Sequence, residues 1–145
     1  MDEMNEAREQ TLRERLGTRG GHMTRQRSAV YGYLRAGRQH PTAEEVYLAV
    51  KQELPRIGLA TVYKNLEALV NCGLATKVTA GDGAARYDIR TDHHYHSRCL
   101  KCGAMVDLEP EAEAVLPGLV RVPVEFEVMQ YRVEVLGMCP GCRRN

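Results

Sequence analysis

Residues 58–70 have the sequence GLATVYKNLEALV, which predicts an amphipathic α-helix. Val62, Leu66 and Leu69 share one face at helical spacing, and Gly73 marks the end of the helix. Polar and aromatic side chains near its N-terminal end lie on other faces. This arrangement is typical of a DNA recognition helix, and an ordinary solvated helix face has the same pattern.

The segments around this helix predict a winged helix-turn-helix. The predicted elements are a charged helix over 2–16, a helix over 25–34 capped by Thr24, a helix capped by Thr42 that stops before Pro55, and strands over 75–79 and 85–89 joined by the turn Gly81-Asp82-Gly83. Helices followed directly by a hairpin give the element order of that fold, in which the recognition helix enters the major groove.

Composition and charge limit the classes of protein. The chain has 145 residues, enough for one typical domain or two small ones. No apolar run approaches the roughly 18 residues of a membrane span, and the polar start MDEMNEAREQ is unlike a signal peptide. Residues 16–77 carry nine Lys/Arg and four Asp/Glu, whereas residues 78–145 carry eight and ten. We expect a cytoplasmic protein whose first half meets an anionic partner.

Four of the five cysteines form two identically spaced pairs, Cys99/Cys102 and Cys139/Cys142. Two such pairs in a short chain predict a structural zinc site, in which four thiolates close a tetrahedron. Two disulfides are the alternative, which the expected reducing compartment disfavours. The fifth cysteine, Cys72, is predicted to be a small core residue.

Histidines and aspartates predict a second metal site. His94 and His96 lie two apart on a predicted strand over 94–98, so their side chains share one face. Asp88 and Asp107, on the strands before and after it, are candidates for further ligands. Imidazole and carboxylate suit Fe²⁺ or Mn²⁺, and Zn²⁺ is compatible with them. Further predicted elements are a strand over 104–108, a short helix over 110–117 and a long strand over 125–136.

Several motifs together resemble the ferric uptake regulator (Fur) family of bacterial metal-dependent repressors over nearly the whole chain. The matching pieces are Thr24-Arg25-Gln26-Arg27, HPTAEEVY from His40, ATVYKNL from Ala60, Arg86-Tyr87-Asp88, His94-Tyr95-His96 and the two cysteine pairs. Within the family the pattern is most similar to the PerR-type, peroxide-sensing branch. The chain departs from the family pattern at His22, where a basic residue is expected, and at Arg25, where proline is usual.

The resemblance implies an α+β protein with a winged-helix DNA-binding domain over 1–90 and a small α/β dimerisation and metal-binding domain over 91–145. It implies a homodimeric repressor that binds double-stranded DNA at a palindromic operator. The implied ligands of a regulatory Fe²⁺ or Mn²⁺ are His40, Asp88, His94, His96 and Asp107. The candidate DNA contacts are Arg19, His22, Ala60, Thr61, Tyr63, Lys64 and Asn65.

Two features favour the peroxide-sensing branch. Aspartate rather than glutamate stands at positions 88 and 107, and Gln130-Tyr131 replaces a histidine of the iron-sensing members. The resemblance then implies that peroxide oxidises His40 or His94 in the Fe²⁺ form, which releases DNA. A sensor of iron, manganese or zinc sufficiency is the alternative within the family.

Two alternatives belong to other classes of protein. A zinc hydrolase or deaminase needs an open zinc position and a general-base glutamate, and the HExxH and HxE motifs are absent from the sequence. A structural zinc-ribbon adaptor would leave the helix over 58–70 and the His/Asp set without a role. We therefore expect a regulator and not an enzyme.

Overall fold

The computed structural model describes residues 10, 13–17, 22–37, 40–79, 83–92, 94–109, 118–129 and 131–144. Its backbone divides into two compact units, Met1–Thr91 and Asp92–Asn145. Arg19, the turn residues Gly81 and Asp82, and the predicted helix over 110–117 lie outside the described residues, as does most of the predicted helix over 2–16.

The N-terminal unit has the predicted order of helices and hairpin. Residues 13–17 are helical (α1). The elements that follow are α2 (Arg25–Ala36), α3 (Ala43–Glu53), α4 (Leu59–Asn71), β1 (Thr76–Val78) and β2 (Arg86–Asp88). The two strands pair antiparallel, with Lys77 opposite Tyr87. This hairpin directly after α4 is the wing of a winged helix-turn-helix, and it confirms the predicted fold of this half.

Side-chain caps fix where the helices begin. The Oγ1 atom of Thr24 accepts a hydrogen bond from the main-chain N–H of Arg27 at 3.1 Å. At α3, Thr42 and Glu45 form a complete capping box, with each side chain accepting from the other residue's main-chain N–H at 3.2 and 2.7 Å. After α4, Gly73 takes a φ of +73°, which glycine adopts without strain. All three positions were predicted from the sequence.

The apolar faces of the three long helices form the core of the N-terminal unit. Tyr87 of β2 closes the core from the wing and is 1% exposed. The buried helix residues are Val30, Leu34, Val46, Val50, Val62, Leu66 and Leu69. The predicted apolar face of α4 is therefore confirmed, and burial of these side chains supplies most of the driving force for folding the unit.

Strand β2 also pairs with the residues that lead into α3. Thr42 and Arg86 form an antiparallel bridge, and the N–H of Tyr87 donates to the carbonyl of Pro41 at 2.9 Å. The guanidinium of Arg86 donates to the carbonyl of His40 at 2.7 Å. These contacts hold the start of α3 against the wing, and they bring His40 beside the end of β2.

The C-terminal unit is a three-stranded sheet followed by a short helix. The strands are β3 (Tyr95–Cys99), β4 (Met105–Leu108) and β5 (Glu134–Gly137), and the helix is α5 (Pro140–Arg143). The order is β4-β3-β5, with β4 antiparallel and β5 parallel to β3. Among the described residues, no helix is long and apolar enough to cross a membrane.

The predicted long strand over 125–136 is wrong for most of its length. Only its last residues pair with β3, within Glu134–Gly137. At the predicted start of the strand there is a turn, in which Phe126 donates its N–H to the carbonyl of Pro123 at 3.0 Å. Alternation describes how side chains would point, but a strand also needs a hydrogen-bonding partner.

The capping box of α3 gives a direct test of this local structure. We expect Thr42→Ala to lower the free energy of unfolding by about 1 kcal/mol, because the main-chain N–H of Glu45 loses its side-chain acceptor. Thr42→Ser keeps the hydroxyl and should stay within about 0.5 kcal/mol of the original chain. Urea unfolding followed by circular dichroism measures both, and equal stability of the alanine and serine variants would contradict the assignment.

Candidate metal centres

The first cysteine pair lies on a tight turn that closes β3 onto β4. Cys99 is the last residue of β3, and its N–H donates to the carbonyl of Ala104 at 2.9 Å. Gly103 donates its N–H back to the carbonyl of Cys99 at 2.9 Å, with a φ of +75°. This turn directs the sulfurs of Cys99 and Cys102 to the same side.

The second pair is brought to the first by β5. Because β5 runs parallel to β3, Gly137 lies opposite Cys99, and its carbonyl accepts from the N–H of Leu100 at 2.8 Å. Cys139 then caps α5, and the N–H of Cys142 donates to the carbonyl of Cys139 at 3.0 Å. The C-terminal tail is thus held against the middle of the chain.

The four sulfurs are arranged as a metal site requires. They lie within 4.8 Å of one another, and all four cysteines are free thiols. The Sγ atoms of Cys102 and Cys139 are 3.7 Å apart. Zinc–sulfur bonds of about 2.3 Å in a tetrahedron place the sulfurs about 3.8 Å apart, whereas a disulfide needs about 2.0 Å. The residues fit zinc and do not form the alternative disulfides.

The protonation of the thiols is uneven. The main-chain N–H groups of Cys102 and Cys139 point at the sulfur of Cys99 and lower the pKa of that thiol to about 6. Contacts with the sulfurs of Cys139 and Cys102 raise the pKa of Cys142 to about 12. Sulfurs this close resist becoming anionic together, and a divalent cation bound by four thiolates removes that resistance.

A second group of possible ligands consists of His94, His96 and Asp107. These side chains lie on the face of the sheet opposite to that of Ser97. His96 of β3 is in register with Asp107 of β4, and the His94 and His96 rings are 4.5 Å apart. The Nε2 atoms of His94 and His96 lie 3.2 and 3.5 Å from the same oxygen, Oδ1 of Asp107. The two imidazoles converge as the alternation of the strand predicts.

The hydrogen-bond partner of Nδ1 determines the tautomer of His94. Its Nδ1 lies 2.8 Å from the carbonyl oxygen of Asp92, which only accepts, so Nδ1 carries the proton. In the neutral ring, Nε2 is then a lone pair that faces a second acceptor, the carboxylate oxygen of Asp107. A cation between these two atoms would satisfy both of them, and a metal-bound histidine is oriented by the same kind of Nδ1–H contact.

Another possible ligand pair lies in the N-terminal unit. His40 and Asp88 are 3% and 6% exposed, and Nε2 of His40 lies 3.1 Å from Oδ2 of Asp88. The other oxygen of Asp88 accepts from the N–H of Arg90 at 2.9 Å. Imidazole and carboxylate are fixed side by side by the pairing of β2 with the residues before α3.

The sequence identified His94, His96, Asp88 and Asp107 by strand spacing, but it identified His40 only by resemblance. A histidine two residues before a capping box has the pattern of a surface residue. Its burial depends on the bridge between Thr42 and Arg86, which joins segments far apart in sequence. No local pattern marks such a contact.

Comparisons with known proteins agree with the motifs of the sequence. The model of the ferric uptake regulator family matches residues 18–135. The chain belongs to the ferric uptake regulator family. It is 38% identical over 127 residues to the peroxide-responsive repressor PerR of Staphylococcus epidermidis, covering 87% of this chain and 84% of that protein.

Solved structures of Fur-family proteins resemble it as well. A zinc-bound manganese uptake regulator is 30% identical with a TM-score of 0.71, covering 89% of this chain and 98% of that one. The ferric uptake regulator Fur of Helicobacter pylori has a TM-score of 0.81 at 23% identity, covering 95% and 93%. The second likeness supports the Fur fold alone.

The candidate DNA contacts of this Fur-family chain differ in how far they are exposed to solvent. Ala60, Tyr63 and Lys64 are exposed on α4, and Thr61 is half-buried; His22 is exposed before α2. The hydroxyl of Tyr63 donates to a carboxylate oxygen of Glu44 at 2.9 Å. Asn65 differs from the expectation, because it is 4% exposed and points into the unit.

The remaining cysteine is separate from the metal centres. Cys72 is buried at the end of α4, and its Sγ donates to the carbonyl of Leu69 at 3.3 Å. It lies in the apolar core of the N-terminal unit, as predicted.

Loss of one zinc thiolate should disrupt the C-terminal unit of this Fur-family protein. We expect Cys139→Ser to abolish stoichiometric zinc and to destabilise the folded unit by about 3 kcal/mol or more. Cys72→Ser is the matched control, since it changes a thiol outside the cluster and should leave zinc content unchanged. Elemental analysis and thermal unfolding test both, and a Cys139→Ser variant that retains one zinc per chain would contradict the assignment.

Proposed function

We propose that this chain is a metal-dependent, DNA-binding transcriptional repressor that senses peroxide. The observation that carries the proposal is the convergence of two imidazoles on one oxygen of Asp107, an arrangement that calls for a cation. The family is one of regulators and not of enzymes, and a PerR repressor is among its relatives.

The regulatory ion is proposed to bind His40, Asp88, His94, His96 and Asp107. The N-terminal unit offers one imidazole and one carboxylate, and the C-terminal unit offers two imidazoles and one carboxylate. Neither set alone fills the coordination sphere of a hard divalent cation, so one shared ion would join the units. The nitrogen and oxygen donors favour Fe²⁺ or Mn²⁺, whereas the four-cysteine cluster favours structural zinc.

DNA is proposed to meet the N-terminal half of α4. Ala60, Thr61, Tyr63 and Lys64 lie on the turns that a recognition helix presents to the major groove. The excess of Lys/Arg over Asp/Glu in residues 16–77 provides attraction for phosphates. Because Asn65 is buried, we remove it from the residues proposed to contact bases.

The C-terminal unit is proposed to form the homodimer. It exposes large apolar side chains, among them Val124 at 99% and Met129 at 83%. Strand β5 lies at one edge of the sheet, where further main-chain pairing is possible. A two-fold dimer presents two recognition helices, so the proposed operator is palindromic. The proposed location is the reducing cytoplasm, which free thiols in a zinc site require.

The peroxide response is proposed to consist of the oxidation of His40 or His94. One peroxide molecule would transfer one oxygen atom to the imidazole carbon and leave as water, a two-electron oxidation of the ring that bound Fe²⁺ would promote. His94 is held by Asp92 and Asp107, and His40 by Asp88, so each ring has a fixed orientation. Oxidation of either ring removes a nitrogen donor, which weakens ion binding and releases DNA.

A sensor of metal sufficiency is the second candidate. The likeness to a manganese uptake regulator at 30% identity favours it. A structural zinc-ribbon adaptor is disfavoured, because it needs only the four cysteines and gives no role to the convergent His/Asp groups.

The deciding experiment compares the Fe²⁺ and Mn²⁺ forms before and after peroxide. We expect both forms to bind operator DNA, and only the Fe²⁺ form to release it on treatment. Mass spectrometry should then find one added oxygen on the peptide of His40 or His94. If the protein releases DNA only when the metal is removed, and its histidines stay unmodified after peroxide, the metal-sufficiency sensor is favoured.

Removal of one proposed ligand tests the ion itself. We expect His94→Ala to lower Mn²⁺-stimulated DNA affinity by about a hundredfold and to leave zinc content intact, because the four sulfurs are untouched. Ser97→Ala is the matched control on β3, since Ser97 lies on the other face of the strand. Fluorescence anisotropy with labelled duplex measures both, and His94→Ala binding that still responds to Mn²⁺ would disprove the ligand assignment.

A further inference from the structure

One buried polar side chain is not used by either metal centre. Among the described residues, the buried polar or charged ones are His40, Asn65 and Asp88. The first and the last belong to the proposed regulatory site. Asn65 lies in the middle of α4 and is 4% exposed, at a position where an apolar side chain would be expected.

Asn65 holds an arginine from another helix. Its Oδ1 accepts from Nε of Arg27 on α2 at 3.2 Å. The same guanidinium donates through Nη1 to the main-chain carbonyl of His22, in the segment that leads into α2. The main-chain N–H of Arg27 also donates to the cap residue Thr24. One side chain therefore ties the entry of α2 to the proposed recognition helix.

This tie depends on the shape of the arginine and on the amide opposite it. Burial of an amide costs about 1–3 kcal/mol unless a hydrogen bond compensates, and leucine at the same position would carry no such cost. The planar guanidinium has five N–H donors in a fixed fork, so it can serve two acceptors at once. A lysine keeps the charge but offers a single ammonium group.

We infer that Arg27 and Asn65 are positioning residues for DNA recognition. They fix the segment around His22 to α4, so that a contact made before α2 and the contacts of Tyr63 and Lys64 reach the duplex in one register. This inference rests on the proposed function. From the sequence alone, Asn65 is a candidate DNA contact. The inference instead assigns it the role of holding Arg27.

Four variants separate positioning from charge and from base contact. Asn65→Leu removes the acceptor and fills the space with an apolar side chain. Arg27→Lys keeps the charge and removes the fork, and Arg27→Met removes both. Arg35→Met is the matched control, because it removes one positive charge from the last turn of the same helix.

The binding measurement uses the Mn²⁺-loaded full chain and a duplex that the original protein selects from a random pool. We expect Asn65→Leu, Arg27→Lys and Arg27→Met each to lower affinity by about tenfold or more, and their combination to be no worse than one alone. In these variants we expect the loss of one phosphate contact made before α2. The slope of log affinity against log salt concentration should then fall in magnitude by about one. Arg35→Met should change affinity less than threefold.

Different results would overturn the inference. Near-normal affinity of Arg27→Lys would mean that charge alone matters. Unchanged affinity of Asn65→Leu would mean that the tie has no role in binding. Relaxed preference at a single base pair in Asn65→Leu, with an unchanged salt slope, would make Asn65 a base contact.

Hydrogen exchange tests the tie without DNA. The amide of Arg27 donates to Thr24, so we expect it to exchange several-fold faster in Asn65→Leu, while amides in the middle of α3 keep their rates. Equal exchange of the Arg27 amide in both proteins would overturn the inference. Absence of DNA binding by the original protein would instead refute the proposed function, and the exchange result would still decide about the tie.

Discussion

Strand β3 is paired on both sides, and the two candidate centres of the C-terminal unit depend on that pairing. On one side β4 places Asp107 opposite His96. On the other side β5 places Gly137 opposite Cys99, two residues before Cys139. A slip of one residue in either register would turn a ligand to the other face of the sheet. The same short strand thus positions a sulfur cluster at its end and an imidazole pair at its start.

The two ligand groups differ in their chemistry. The sulfurs of the first lie within bonding range of one tetrahedral ion and belong to one unit, so zinc there would close a short sheet that has little buried apolar surface of its own. The histidines and aspartates offer harder donors and are divided between units. Under the proposed function, an ion bound by donors of both units would stabilise one arrangement of the units over others, which a switch requires.

How far the sequence predicted the structure depended on whether the signal was local. Caps at Thr24 and Thr42, the apolar face of α4 and the convergence of His94 with His96 follow from spacing within a few residues. The burial of His40 depends on the bridge to Arg86, and the burial of Asn65 depends on Arg27 of another helix. Both contacts join segments distant in the chain. The strand over 125–136 was predicted from a partial alternation, and most of it lacks a pairing partner among the described residues.

Contacts within the N-terminal unit connect the proposed ligands to the proposed DNA surface. Tyr87, next to Asp88 on β2, is buried, and its hydroxyl donates to Glu67 of α4 at 3.0 Å. The same carboxylate oxygen of Glu67 pairs with Lys77 of β1 at 2.7 Å, and this contact is the main reason that the pKa of Glu67 is lowered. Strand β2, which carries the proposed ligand Asp88, is therefore tied to α4 by the part-buried hydrogen bond of Tyr87, and β1 is tied to α4 by the exposed ion pair of Lys77. An ion that moved the end of β2 would therefore act on α4 through these contacts. Under the proposed function, the regulatory ion would act between the units. To reverse a 1:99 equilibrium between two arrangements, such an ion would have to bind the favoured arrangement about 10⁴-fold more tightly than the other.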